Sequence, residues 1–334
     1  MSRIELIIKK PSLIKHQLKR QHIHWLAGLM LFSVNLLADQ SIADQYPDSL
    51  LYSKPVEVIP HVWSAIGATS APNYANAGHN NNLSFIVTTD GVVVMNSGAT
   101  YLLAKALHDE IRKITEQPVR YVFVENAQGH AMLGNGYWKE QGATIIAHTT
   151  AAEAFSKSGA AALQSTLRIN KEQGKGTSVV LPTETFSDSK VLELGGLRIE
   201  AHWLGLAHSR GDIVLWLPAQ RLVISGDMAF HERLLPVFPY TDTAAWLESW
   251  ERFEALAALY VIPGHGHPTN MAQVRRYTHD YLRFLRAAIS ALLEDGEDLQ
   301  AAYELDQSQF SHLHTFKLLA AKNAGRVFEQ MEFE

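Results

Sequence analysis

Three short segments of the chain place an acid or an imidazole directly after an apolar run and beside glycine. They are GLAHSRGD, LVISGDMAF and YVIPGHGHP, which carry His208, Asp227 and His265. Such apolar runs predict buried strands, and the ends of strands can direct side chains into a shared cleft. Two neutral imidazoles and one carboxylate suit zinc or non-haem iron. Each segment alone is more typical of a turn or a hydrogen-bonded surface group, so the metal interpretation depends on all three.

A fourth segment, YVFVENAQGHAMLGNGYW (residues 121–138), has the outline of a metal-binding loop. A strand-like run is followed by a polar stretch and a Gly-Asn-Gly turn, but the stretch offers a single histidine, His130. Glu125 is a candidate base, and a supporting carboxylate is the simpler interpretation. Asp212, four residues after His208, could support that histidine or cap a turn.

The remaining pattern predicts two groups of strands with helices around them. LSFIV and VVVM flank the turn sequence TTDG, and YVFV and ATIIAH follow a helix near residues 103–114. SVVL, LRIEAHWL, DIVLWL and RLVISG predict further strands, and helices are predicted over 242–259 and from about residue 271. This order predicts an α/β fold in which two sheets pack together and the helices lie outside.

The composition describes a globular chain that contains no cysteine. Its 334 residues are 47% hydrophobic and 19% charged, which is ample for a core and unlike a disordered chain. The absence of cysteine excludes disulfides, thiolate ligands and a cysteine nucleophile. Any metal site must therefore use His, Asp and Glu.

The first 43 residues differ from the rest. Six Lys or Arg residues and one Glu give residues 1–38 a net charge of +5, and they include the apolar run WLAGLMLFSVNLLA. The run is shorter than the roughly 20 residues of a membrane span, and Ala38 and Ala43 offer cleavage points. We therefore predict a signal peptide and cleavage region over 1–43, a domain over 44–334 and a periplasmic location; an uncleaved membrane anchor is the alternative.

Charge also limits the partners that the exported part would bind. The whole chain carries −5, so residues 39–334 carry −10. A chain this acidic, without a basic stripe, is a poor nucleic-acid binder. We expect a small-molecule substrate or ligand, no nucleic acid, and no membrane after signal cleavage.

Taken together and in this order, the segments resemble the metallo-β-lactamase superfamily from about residue 57 onward. The hairpin NNLSFIVTTDGVVVMNSG and the segments GLAHSRGD, SGDMAF and PGHG carry the resemblance. The closing AAKNAGRVFEQMEFE is similar to the end of the quinoprotein- and sulfur-oxidation-associated, zinc metallohydrolase-like members. The resemblance implies an αββα sandwich with a helical C-terminal extension. It also implies hydrolysis of esters, amides or thioesters with one or two metal ions.

The signature loop of the family, His-x-His-x-Asp-His followed by x-x-Gly-Asn, is degenerate in this chain. Aligned on the Gly-Asn pair at 134–135, the ligand positions are occupied in order by Asn126, Gln128, His130 and Ala131. Asn96 stands where the family usually has an aspartate at the end of the second strand. Carboxamides are much weaker ligands than imidazole, so the resemblance implies that the usual two-metal site does not form.

One rebuilt site remains. It would hold a single divalent ion, zinc first and iron or manganese as alternatives, with the ligands His130, His208, Asp227 and His265. We expect Asn126, Gln128, Asp212 and Asn96 to bind substrate or to support these ligands. If all four ligands bind, the site is structural; if one stays away, a metal-bound water becomes the nucleophile.

Two functions follow from this interpretation. The first is an exported metallo-β-lactamase-fold hydrolase with an altered, mononuclear site that cleaves an ester- or amide-type bond of a small molecule. The second is a binding protein that keeps the fold, has lost catalysis, and uses the cleft for a ligand or a partner. The fold alone does not decide between them, because one scaffold hosts many activities.

Overall fold

The computed structural model describes residues 49–334, and the predicted signal peptide and cleavage region lie outside the described residues. Its first sheet has seven strands, of which the first four pair antiparallel and the last four parallel. In spatial order they are β1 (Val56–Ile59), β2 (Val62–Ala65), β3 (Leu83–Thr88), β4 (Gly91–Met95), β5 (Val119–Phe123), β6 (Thr144–His148) and β7 (Glu184–Phe186).

The second sheet has five strands, and one pair in it is parallel. That pair consists of the edge strand and the long, fully buried strand beside it. In spatial order the strands are β12 (Tyr260–His265), β11 (Leu222–Phe230), β10 (Val214–Leu217), β9 (Leu197–His202) and β8 (Ser189–Leu194).

Apolar side chains from both sheets interlock to form the central core. Val93 and Phe123 of the first sheet lie in the same cluster as Leu215 and Ile262 of the second, and all four are fully buried. The β-branched runs form strands because their side chains fit a surface that is buried on both faces. The outer face of each sheet is covered by helices, which form two further apolar clusters.

Nine α-helices cover these outer faces in the described part of the chain. Four belong to the first half: α1 (Tyr101–Ile114), α2 (Gly129–Met132), α3 (Asn135–Glu140) and α4 (Thr149–Asn170). Five belong to the second half: α5 (Thr243–Ala255), α6 (Met271–Tyr277), α7 (His279–Glu294), α8 (Leu299–Tyr303) and α9 (Phe316–Met331). Short 3₁₀ turns lie at Lys171–Gly174 and Ser308–Phe310.

This arrangement confirms the predicted αββα sandwich and its helical C-terminal extension. One predicted strand, SVVL at residues 178–181, is wrong because the segment has no strand pairing. Val179 and Leu181 are partly exposed, and the carbonyl of Val180 accepts a hydrogen bond from the side chain of Asn135 at 2.9 Å. A side chain thus takes the place of a neighbouring strand. Among residues 49–334, no helix combines the length and the apolar character that a bilayer crossing needs.

Candidate metal centre

Asp227 lies at the centre of the candidate site, inside β11. A sharp turn at Gly226, with φ of +51°, presents the aspartate, which is 1% exposed. A Cβ atom at position 226 would lie 2.0 Å from Oε2 of Glu125. Only glycine fits there, because the backbone conformation and the neighbouring carboxylate both exclude a side chain.

Three of the four predicted ligands converge. One donor atom from each of His130, Asp227 and His265 lies within 4.8 Å of the other two. Nε2 of His265 is 3.1 Å from Oδ1 of Asp227, and Nε2 of His130 is 3.7 Å from Oδ2. Ligand bonds of about 2.0–2.2 Å around one zinc ion place donor atoms roughly 3–4 Å apart. The three residues therefore fit one divalent ion.

His208, the fourth predicted ligand, lies beside this group without belonging to it. Its Nδ1 is 3.3 Å from Oδ2 of Asp227 and 3.1 Å from Nε2 of Gln128. The ring packs against Phe230 and Trp246, and its backbone carbonyl accepts a 2.7 Å hydrogen bond from the Thr241 hydroxyl. Its Nε2 is buried and has no hydrogen-bond partner among the described residues. The nitrogen of His208 that faces Asp227 is thus Nδ1, and Nε2 is buried without a partner among the described residues.

The degenerate loop contributes hydrogen bonds where the family has ligands. Nδ2 of the fully buried Asn126 donates to Oδ1 of Asp212 at 3.0 Å and to Oδ2 of Asp227 at 3.1 Å. Oδ1 of Asn126 accepts from the backbone N–H of Gln128 at 2.9 Å. Asp212 also accepts from the backbone N–H of Ser209. Asn126 thus connects Asp212 and Asp227, and the substrate-binding or supporting role of Asn126, Gln128 and Asp212 stays a prediction.

Glu125 and Asn96 lie behind His130. The Glu125 side chain is fully buried, and its Oε1 is 3.1 Å from Nε2 of His130. The backbone N–H of Glu125 donates to Oδ1 of Asn96 at 3.1 Å, and Asn96 has a left-handed backbone with φ of +72°. Glu125 is absent from the lining of the cleft, so its carboxylate orients His130 and does not face a substrate.

The electrostatics of the site favour the protonation states that a metal ion needs. Burial alone would raise the pKa of Asp227, but the imidazoles of His208 and His265 hold it below its usual range. Burial lowers the pKa of both His208 and His265 to about 4, so both rings are neutral at pH 7. A carboxylate and neutral imidazoles are the forms that coordinate divalent ions.

The pKa values of three other groups of the site are raised. Burial would lower the pKa of His130, but its hydrogen bond with Glu125 raises it instead. Burial, together with the charge of Asp227, raises the pKa of Glu125 and raises that of Asp212 well above its ordinary value. A proton on His130 therefore competes with an ion for that ring, so occupancy of the site should depend on pH.

Two groups that the sequence did not indicate complete the centre. Nη1 of Arg233 is 3.1 Å from Nδ1 of His265, and burial lowers the pKa of this arginine to about 10. The backbone carbonyl of Asn80 also lies within hydrogen-bond distance of Nδ1 of His265. Arg233 follows Asp227 by six residues, and Asn80 precedes β3, so neither position stands out as a ligand-type residue in a motif.

The centre opens into a cleft of about 340 Å³. Gln128, His130, His208, Asp227, Arg233 and His265 form its polar floor. Its walls include Ala162 and Ile169 of α4, Phe238 of the segment between β11 and α5, and Leu318 and Leu319 of the helical extension. The first turn of α9 thus forms part of the cleft wall.

Comparison with known proteins agrees with this architecture. Residues 130–265 match the family described as the metallo-beta-lactamase superfamily. The chain is 26% identical over 196 residues to the metallo-beta-lactamase type 2 of Bacteroides fragilis, an alignment that covers 54% of this chain and 70% of that protein. It is 22% identical over 237 residues to the linear primary-alkylsulfatase of Pseudomonas sp. (strain ATCC 19151), covering 60% of this chain and 45% of the sulfatase.

Solved structures share the fold at low sequence identity. The metallo-beta-lactamase from Pontibacter korlensis superposes with a TM-score of 0.57 at 18% identity, covering 69% of this chain and 98% of that one. The sec-alkyl sulfatase PisA1, as a double mutant, superposes with a TM-score of 0.64 at 17% identity, covering 84% of this chain and half of that one. The narrower resemblance to the quinoprotein- and sulfur-oxidation-associated members stays a prediction. Residues 130–265 thus match a metallo-beta-lactamase domain, and the curated and structural neighbours of the chain, alkylsulfatases among them, lie in the same superfamily, whose members bind divalent metals, usually zinc.

Proposed function

We propose that this protein is a hydrolase that uses a single divalent ion, zinc first, to cleave an ester- or amide-type bond of a small molecule. His130, Asp227 and His265 would hold the ion. The observation that carries the proposal is the convergence of one donor atom from each within 4.8 Å, in spite of the altered signature loop.

An ion in this position would polarise a substrate carbonyl and lower the pKa of a water molecule to about 7. Each residue of the chain has a separate task in the proposed reaction. Oε1 of Glu125 lies 3.1 Å from Nε2 of His130, the same nitrogen that faces Asp227, so an ion that binds His130 there would replace this hydrogen bond. His208 lines the cleft with Nδ1 3.3 Å from Oδ2 of Asp227, and it would complete the coordination or hydrogen-bond the substrate. The apolar walls keep bulk water away from the bond that is cleaved.

The size and charge of the cleft support a small substrate with a negatively charged group. Its volume of about 340 Å³ suits a compact ligand. Arg233 adds a buried guanidinium to the floor, and its Nε has no partner in the described chain. Because a guanidinium binds carboxylates, sulfates and phosphates with directed hydrogen bonds, we expect an anionic group at that end of the substrate. The relative named as an alkylsulfatase is consistent with this substrate class.

We also propose that the protein works outside the cytoplasm, in the periplasm. The basic region and the apolar run of residues 1–38 support this location. N-terminal sequencing of protein from a periplasmic fraction tests it, and a mature chain that begins near residues 39–44 is the expected result. An intact N-terminus in the membrane fraction would favour the anchor instead.

Metal content and turnover test the function. Protein purified without chelator should contain about one equivalent of zinc, iron or manganese by elemental analysis, and His130→Ala should lose it. The control is His108→Ala, because His108 is also buried but lies against Tyr137 and Trp138, outside the site.

A panel of ester, thioester, amide and sulfate-ester substrates, assayed with and without chelator, then tests hydrolysis. Chelator-sensitive turnover supports the proposal. Bound metal without chelator-sensitive turnover would favour the non-catalytic binding protein. Metal-free protein with full turnover would refute the single-ion mechanism.

A further inference from the structure

The two positions where the family has its leading histidines carry amides that hydrogen-bond to neighbouring residues of the site. Both N–H groups of the Asn126 carboxamide point to carboxylates, one to Asp212 and one to Asp227, at 3.0 and 3.1 Å. The N–H of Gln128 that reaches Oδ1 of Asn126 fixes which end of the amide is nitrogen. The amide therefore presents its positive end to two buried acids.

The neighbourhood of Asn126 needs such a positive end. Asp212 and Asp227 are 4% and 1% exposed, and two acids this deeply buried repel each other unless donors or cations lie between them. Arg233 hydrogen-bonds His265, with Nη1 3.1 Å from Nδ1 of that ring. Asn126 is thus the neutral group that separates the two acids, in the place where other members carry a histidine and its ion.

Gln128 makes the matching contact to the remaining histidine. Its Nε2 is 3.1 Å from Nδ1 of His208, which in turn is 3.3 Å from Oδ2 of Asp227. The N–H groups of the two amides thus contact three groups of the site: His208, Asp212 and Asp227. A metal-binding member of the family would have a cation in this position.

We propose that Asn126 and Gln128 are a built-in substitute for the first metal ion, so that this half of the site is complete without metal. The inference rests on the proposed function for the second half, where His130, Asp227 and His265 take up the only ion. It explains how buried acids are retained at a position that has lost its metal ligands. It also predicts that the protein binds one equivalent of a divalent ion.

The isosteric variant Asn126→Asp tests the inference, because it replaces the two donors with a carboxylate and leaves the packing unchanged. Three acids would then crowd one buried point, so metal-free Asn126→Asp should unfold at a temperature lower by about 5 °C or more. Zn²⁺ or Mn²⁺ should restore most of that loss and bind as a second equivalent, measured by elemental analysis after gel filtration. Wild-type protein should stop at one equivalent.

A matched control is Asn135→Asp, which also buries a new acid in place of a fully buried asparagine. Asn135 donates to the carbonyl of Val180 at 2.9 Å and belongs to no acid cluster. It should lose thermal stability that neither ion restores. A second variant, Asn126→Leu, removes the donors without adding charge and should be destabilised with no rescue by metal.

The outcomes separate this inference from the proposed function. Two equivalents in wild-type protein, an unchanged melting temperature in metal-free Asn126→Asp, or a lack of rescue by either ion would each overturn the substitution of metal by amides. Equal rescue of Asn135→Asp would do the same. Wild-type protein that binds no ion, together with a rescued Asn126→Asp, would instead refute the single-ion function and leave the role of the amides intact.

Discussion

Removal of the His265 imidazole should abolish the stabilisation that a divalent ion gives to the folded protein. His265 is 4% exposed and supplies Nε2 to the three-residue group, 3.1 Å from Oδ1 of Asp227. Loss of a residue that merely supports a ligand costs about 10–100-fold in metal affinity. Loss of the ligand itself should cost at least about 100-fold.

The expected size of the effect follows from mass action. At a free ion concentration of about 100 times the dissociation constant, binding stabilises the folded state by about 2.7 kcal/mol. After a 100-fold loss of affinity, the same ion concentration gives about 0.4 kcal/mol. For a domain of this size, the ion should therefore raise the melting temperature of wild-type protein by roughly 5 °C and that of His265→Ala by about 1 °C.

The assay is thermal unfolding with buffered Zn²⁺ and with chelator. His265→Ala will also unfold earlier in its metal-free form, because it loses a ring stacked on Phe230 at 5.1 Å. The comparison therefore uses the difference between metal-loaded and metal-free protein. His108→Ala is the control, since it loses a buried ring elsewhere and should keep the full ion-dependent shift. An equal shift in wild-type protein and His265→Ala would refute the assignment of His265 to the ion.

Three further predictions follow from the same structure. Gly226→Ala should lower the free energy of unfolding, measured by chemical denaturation, by more than about 3 kcal/mol, since its Cβ would lie 2.0 Å from Glu125. The control Gly296→Ala, also at positive φ but in open space, should lower it by about 1 kcal/mol. Burial lowers the pKa of His108 to about 4, so the unfolded chain binds more protons than the folded one between pH 6.5 and 4. The free energy of unfolding should therefore fall as the pH drops through that window. His108→Leu should show a shallower fall, and a pH profile parallel to that of the wild-type protein would contradict the reasoning. Arg233→Gln should raise KM about tenfold or more for anionic substrates of the panel and leave KM for neutral ones within about twofold, whereas an equal change for both classes would exclude an anion-binding role.

The sandwich could be predicted from the sequence because its signals are local. Alternating and continuous apolar runs identify strands, and their order with respect to the helices indicates two sheets with outer helices. The failure at residues 178–181 is instructive, since Ser178–Leu181 has strand-type residues but its partner is the side chain of Asn135. The residue types of a segment indicate whether it can form a strand. Whether it does so depends on the tertiary structure, which must supply a neighbouring strand.

The site was predictable where a ligand-type residue ends an apolar run, as at His208, Asp227 and His265, and where the signature loop keeps an imidazole, at His130. The fold brings the three histidines around the carboxylate of Asp227. Arg233 and the carbonyl of Asn80 were missed, because an arginine in a loop and a backbone oxygen carry no pattern that points to His265. The contact between Asn80 and His265 spans 185 positions, and only the assembled sheets create it.

The helical extension has a consequence beyond packing. Leu318 and Leu319 of α9 line the cleft, and the segment just before that helix pairs with the strand-like stretch at Arg233. A change in the tail can therefore reshape the room available to a substrate while every ion-binding side chain stays where it is. Substitutions at Leu318 or Leu319 would thus change the volume of the cleft without replacing any residue of the three-residue group.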